Sequence, residues 1–373
     1  MDKNLLGGLS PARFLAEYWQ KKPLLIRGAL PGFRNLLDAQ SLFRLAERDD
    51  CESRLITHAG KKWTLEHGPF AARDLRRLPE SRWTILVQGL NTLLPEADAL
   101  MRRFDFIPYA RLDDLMVSYA RKGGGVGPHV DSYDVFLLQG EGRRRWRIST
   151  QSDLELDPRA PLKLLRDFRA EEEWVLEAGD MLYLPPHIAH EGAALDECMT
   201  YSIGFRAPSA QEIGTRFLEF LQEGLALEGM YADPSLRTQA DPARIADAYV
   251  DQLQAMLKTI RWQRTDIEAF AGQYLSEPKA HIRFEPPAEA LRPNAFSRVL
   301  REHGIRLALP SIMLYRQNAF YLNGERIDAP PEWQQLLGRL ANERRLPAGT
   351  VANPGLRALL QEWYEAGYLL LGA

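Results

Sequence analysis

The hydrophobic pattern changes period near Pro208. Before it, apolar residues fall in short β-prone runs separated by turn residues: RLITH (54–58), WTILVQ (83–88), LMVSYA (115–120), DVFLLQ (134–139), RRWRIS (144–149), MLYLP (181–185) and TYSIGF (200–205). LLIRG (24–28) reads as an earlier strand, and Ser10-Pro11 as an N-cap and first-turn proline opening a helix to about Gln20. Many short strands without alternating helices predict a mainly β architecture, an antiparallel barrel or a double-sheet jelly roll. After Pro208, Ile213, Phe217, Phe220, Leu221 and Leu225 share one helical face, and Ile245, Tyr249, Leu253, Met256 and Leu257 share another. Asp241-Pro242 is a good opening for the second helix. These stripes pack on each other or on the barrel, or they form a dimer interface. A proline-rich joint, EPPAEALRP (285–293), leads to a helix, a strand pair around YRQNAFYLNG (315–324), helices near 332–342 and 355–366, and a last short strand. That order is compatible with a winged helix. The expected domains are 1–208, 209–275 and 276–373.

Composition narrows the function classes. At 373 residues, with 45% apolar and 26% charged residues, the chain has ordinary globular make-up and room for two or three domains. A net charge of −3 gives no sign of a general nucleic-acid or membrane-surface binder. Residues 276–373 hold 12 Lys+Arg against 10 Asp+Glu, too weak an excess for a DNA-binding surface, so protein docking or a structural role is expected there. Two cysteines, Cys51 and Cys198, make no disulfide framework and point to a reducing cytoplasm. No apolar stretch approaches the length of a membrane span or a signal peptide.

The chemistry concentrates in GGGVGPHVDSYDVF (123–136). Read as a strand, it projects His129 and Asp131 from one face, because residues i and i+2 point the same way. One imidazole and one carboxylate are two thirds of a 2-His-1-carboxylate facial triad. The third ligand is expected in EAGDMLYLPPHIAHEG (177–192), where Gly179, Pro185 and His190 fit the spacing of the second cupin motif. His190 is therefore preferred to His187, which stands where that motif usually has glycine. Zinc hydrolases also use two histidines and a carboxylate. What favours iron with 2-oxoglutarate is a cation for the distal carboxylate of that cosubstrate. In EGRRRWRIS, alternation puts Arg144, Trp146 and Ile148 on one face and Arg143, Arg145 and Arg147 on the other. A guanidinium fork matches a carboxylate bidentately, and burying one among apolar residues is costly without such a partner. The outer arginines read as a solvated strand face rather than an RNA patch.

With these segments and YSIGFRAP (201–208), the chain resembles the JmjC-type 2-oxoglutarate oxygenases, specifically the bacterial ribosomal oxygenases of the cupin-4 group. The resemblance extends over its whole length. It implies a double-stranded β-helix followed by a helical dimerisation domain and a winged-helix domain. It also implies Fe(II), 2-oxoglutarate and O2. The implied reaction is β-hydroxylation of an arginine in the sixteenth large-subunit ribosomal protein. The family's basic cosubstrate residue lies fifteen after the first ligand histidine, which is Arg144 here. Its substrate-contact positions match Asp114, Met116, Tyr133 and Ser202, and Ser118 is a candidate hydrogen-bond donor to the cosubstrate. Alternation places Asp114, Met116 and Ser118 on one side of their strand, and a carboxylate beside an aromatic ring suits a guanidinium. A homodimer is implied, while the charge balance and the lack of a long apolar stretch lead to no expected DNA or membrane partner. Two other readings stay open: a histidyl hydroxylase or demethylase on the same scaffold, and a non-catalytic cupin that binds a protein partner.

Overall fold

A computed structural model describes residues 4–60 and 62–372. Its chain divides into two compact units, one of 1–207, 279–311 and 347–373, the other of 208–278 and 312–346.

Among the described residues, the stretch 24–205 of the first unit carries eleven strands: β1 (Leu24–Ile26), β2 (Ser53–Ala59), β3 (Lys62–His67), β4 (Trp83–Val87), β5 (Leu112–Ala120), β6 (Val135–Glu141), β7 (Arg144–Ser149), β8 (Glu172–Leu176), β9 (Met181–Leu184), β10 (Ala189–Ala194) and β11 (Cys198–Phe205). They form two antiparallel sheets, β1-β9-β6-β11-β5-β4-β2-β3 and β10-β7-β8. Period-2 patterning explains the layering. Leu115, Val117 and Tyr119 of β5, Phe136 and Leu138 of β6, and Tyr201, Ile203 and Phe205 of β11 join Phe14 and Phe104 in the main core. The alternate residues Val135, Leu137, Leu182 and Leu184 face the small sheet and pack with Trp146, Ile148 and Leu176. The central strands of the large sheet are thus buried on both faces, which is why β6 and β9 carry continuous apolar runs. The jelly-roll expectation holds.

The inward face of the large sheet also carries its polar residues. Asp114, Met116 and Ser118 alternate with the core residues of β5, and Thr200 and Ser202 do so on β11. Ser202 pairs with Met116 on one side and Leu137 on the other.

After the barrel, the same unit contains the helices Pro293–His303 and Pro354–Glu365 and the paired strands Ile305–Leu307 and Leu369–Leu371. The second unit holds the helices Ala210–Gly224, Asp247–Leu257, Arg264–Ser276 and Pro331–Glu343, with a three-stranded meander over 313–328. Phe217, Phe220 and Phe270 pack ring against ring within it. Gly272 exists for close approach, since a Cβ there would lie 2.2 Å from the Tyr321 ring.

Candidate metal centre

Residues 128–134 form no ladder strand, contrary to the expectation from alternation; His129 makes only an isolated bridge to His190. Its two backbone hydrogen bonds, both 2.9 Å, stitch the segment to β10. The glycines upstream let the chain reach that position. A Cβ on Gly124 would lie 2.0 Å from the Trp83 carbonyl oxygen, and one on Gly125 would lie 2.2 Å from that of Gly192. Only glycine allows backbone to lie this closely against both β4 and β10. Gly192 in turn gives its own Cβ space to the Trp146 ring.

His129, Asp131 and His190 converge, with one ligand atom from each within 4.8 Å of the others. Asp131 Oδ1 lies 3.9 Å from His129 Nε2, and Oδ2 lies 3.6 Å from His190 Nε2. Ligand bonds of about 2.1 Å put two ligands of one ion roughly 3 to 4 Å apart, so the set fits a divalent ion. Each imidazole is oriented from behind: His129 Nδ1 meets the Gly127 carbonyl and His190 Nδ1 the Ile188 carbonyl, both at 2.9 Å. A carbonyl only accepts, so each Nδ1 carries the proton and each Nε2 keeps its lone pair for the ion. Burial, with His129 beside it, pushes His190 down to about 4, although Asp131 pulls the other way. The ring is neutral, as a ligand must be.

His187 is exposed and takes φ +64, the left-handed conformation that explains why related motifs favour glycine there. Its backbone N–H donates to the Asp131 carbonyl at 2.8 Å, so it supports the ligand segment through main chain. Asp134 points away from the triad into the main core. It accepts from Tyr183 Oη at 2.6 Å and Gln20 Nε2 at 2.9 Å, with Arg111 at 3.4 Å, anchoring the segment's far end.

Arg144 lies on the inward face of β7, only 4% exposed, with its Cζ 5.8 Å from the Trp146 ring. The Trp146 ring lies 6.0 Å from that of His190. Arg144 Nε and Nη2 are buried and have no hydrogen-bond partner. Two orphaned donors on a buried cation are what an absent carboxylate would satisfy. Ser118 lies on the inward face of β5, its Oγ 3.5 Å from the Thr200 carbonyl. By contrast Arg143, Arg145 and Arg147 pair with Asp196, Glu173 and Glu191, which makes their face a charge-matched strand surface.

Asp114 and Tyr133 both border Gly204. A Cβ at Gly204 would stand 3.5 Å from Asp114 Oδ1 and 3.8 Å from Tyr133 Cε2. Tyr133 is 38% exposed, and burial, then Asp131 and Asp114, raises its phenol well above the ordinary range. Sequence reading missed Gln88, Arg54 and Lys279, which join Asp114 through direct contacts or through one another. Arg54 Nη2 donates to Gln88 Oε1 at 2.6 Å and touches Met116 Sδ at 3.8 Å. Gln88 Nε2 donates to Asp114 Oδ2 at 3.3 Å. Gln88 carried the one usable signal, a polar residue closing an apolar strand run.

Comparison with known proteins follows the same lines. A JmjC domain model matches residues 99–213, and a ROXA-like winged-helix model matches 259–370. The chain is 33% identical over 359 residues to the ribosomal protein uL16 3-hydroxylase of Escherichia coli K12, covering 95% of this chain and 96% of that one. It is 34% identical over 342 residues to a probable ribosomal oxygenase of Haemophilus influenzae, covering 86% and 82%. The structure of the E. coli ribosomal oxygenase YcfD in complex with cobalt and 2-oxoglutarate superposes with a TM-score of 0.83 at 33% identity, covering 98% of this chain and 99% of that one.

Proposed function

The chain belongs to the JmjC-domain ribosomal oxygenases, and from that membership we propose that it is an Fe(II)- and 2-oxoglutarate-dependent hydroxylase acting on a large-subunit ribosomal protein, at the β-carbon of an arginine. The observation that carries this reading is the buried Arg144, with two unfilled donors on the same interior as the converged triad. His129, Asp131 and His190 would hold the metal and leave open positions beside it. When bound, Fe(II) couples the oxidation of 2-oxoglutarate by O2 to succinate and CO2 with insertion of the second oxygen atom into a substrate C–H bond. Arg144 takes the distal carboxylate of the cosubstrate, and Ser118 offers it a hydroxyl. Asp114 accepts the substrate guanidinium, the Tyr133 ring stacks on it, and Met116 and Ser202 line the pocket.

The test uses purified protein with Fe(II), 2-oxoglutarate and synthetic uL16 peptides. Mass spectrometry is expected to place one added oxygen on an arginine, with succinate formed in step. Oxygen on a histidine instead would select the histidyl-hydroxylase alternative. Loss of a methyl group would select a demethylase, and no turnover of any peptide a non-catalytic binding protein.

We divide the work of the chain into a catalytic part (1–208), dimerising helices (209–275) and a winged-helix part (276–373). Exposed apolar residues on the middle helices, among them Ile213, Leu218, Leu253 and Leu257, support a homodimer. Sedimentation is expected to give twice the chain mass, and charged substitutions at Leu218 and Leu253 to give monomers; a wild-type monomer at micromolar concentration would end that reading. No helix among the described residues is long and apolar enough to cross a membrane. A ribosomal substrate supports a cytoplasmic location, which cell fractionation would check.

A further inference from the structure

Asp114 is held more elaborately than a bare hydrogen-bond acceptor needs. The Lys279 ammonium lies 3.0 Å from Asp113 Oδ1 and 3.5 Å from Asp114 Oδ2. Gln88 donates to the same Oδ2, and Arg54 occupies the other end of the Gln88 amide, which fixes which way that amide faces. Two groups therefore grip one carboxylate oxygen, while Oδ1 borders the space over Gly204 that the Tyr133 ring also borders. Lys279 lies 165 positions along the chain from Asp114, and no local pattern announces it.

We propose that Lys279 is a positioning residue for substrate recognition: it balances Asp113 and holds Asp114 ionised, with Oδ1 presented to the incoming guanidinium. The inference rests on the arginine-substrate reading above and names the group that sets its specificity. Two neighbouring carboxylates in a half-buried wall repel each other and lose hydration, so one of them readily takes up a proton. Burial raises the Asp114 carboxyl above its ordinary range and Asp113 adds to this, with Lys279 the largest influence in the opposite direction. Burial also works against the Lys279 charge, but Asp114 and Asp113 outweigh it. The other polar groups facing Asp114 are the Gly89 N–H, Gln88 with Arg54 behind it, and the Tyr133 phenol. None of them replaces the ammonium as a direct counter-charge. A protonated Asp114 would still accept a hydrogen bond, but it would no longer distinguish a guanidinium from a neutral urea of the same shape.

The experiment compares wild type, Lys279→Met and Lys279→Arg on the uL16 peptide and on the same peptide with citrulline at the target position. Citrulline is the neutral isostere of arginine. Lys279→Met is expected to raise KM for the arginine peptide about tenfold, the scale of one charge-assisted contact. That KM should fall as pH rises and Asp114 regains its charge, and the preference for arginine over citrulline should shrink. KM for 2-oxoglutarate, bound elsewhere by Arg144, reports whether the site as a whole survives. Lys279→Arg should restore both KM and preference. A Lys279→Met enzyme with wild-type KM and wild-type preference at every pH overturns the proposal, as does a KM rise with the preference intact. Failure of the functional reading looks different: the wild-type enzyme would leave the arginine peptide unmodified.

Discussion

His190→Ala is expected to abolish metal binding and turnover while leaving the fold in place. The imidazole is 2% exposed and lies between the small sheet and the ligand segment. Its Nδ1 is committed to the Ile188 carbonyl, and its Nε2 faces Asp131. Removing it leaves one imidazole and one carboxylate, too few protein ligands to hold a divalent ion against water. Loss of a group that only supports a ligand costs about 10–100-fold in affinity or activity, so loss of the ligand itself is expected to exceed about 100-fold. The measurement is titration with cobalt(II) followed by absorption, run beside peptide-dependent succinate formation. Circular dichroism separates site loss from unfolding. The backbone bridge between residues 129 and 190 uses no side-chain atom, so the segment stays in register. His129→Ala follows in the same direction. Either variant binding cobalt with wild-type affinity removes that histidine from the ligand set.

The sequence made this site legible for reasons that differ from ligand to ligand. His190 stands on β10, whose AHEGAA has no hydrophobic alternation because Trp146 packs where Gly192 has no side chain. Motif spacing found the histidine where periodicity could not find its strand. Alternation pairs His129 and Asp131 as neighbours on one strand face, but the segment forms no strand. They converge because a bridge to β10 and the His187 N–H hold an irregular segment in place. The inward face of β7 was readable from RRWRIS alone, since a guanidinium alternating with Trp146 and Ile148 has only an interior to face. The wall of the substrate pocket was not readable, because Arg54, Gln88 and Lys279 come from three distant segments and meet only through the fold. Periodicity along a strand fixes which face a side chain takes, whereas its long-range neighbours are set only by the fold.

Arg144→Met separates the two things that residue could be doing. If Arg144 were there for stability, replacing it would lower the melting temperature. The structure argues the reverse. Its guanidinium is buried, and two of its nitrogens lack any partner. The effective cost of burying an unpaired charge is several kcal/mol, and an apolar side chain of similar volume is often neutral or stabilising in its place. Methionine also suits the surroundings, since Leu176 and Ala194 are the cross-strand neighbours of Arg144. The melting temperature without cosubstrate should therefore hold or rise. Affinity for 2-oxoglutarate should fall sharply, because its distal carboxylate would enter a dry site with no counter-charge. Truncating one member of a buried charge pair costs about 2–5 kcal/mol, a rise in KM of roughly 30-fold or more. Arg144→Lys keeps the charge but loses the fork, so its KM should lie between the two. Thermal shift with and without 2-oxoglutarate reads both effects in one experiment: wild type is stabilised by the cosubstrate and Arg144→Met is not. An unchanged KM in Arg144→Met would mean that another cation holds the carboxylate. A lowered melting temperature with full affinity would make Arg144 a structural residue.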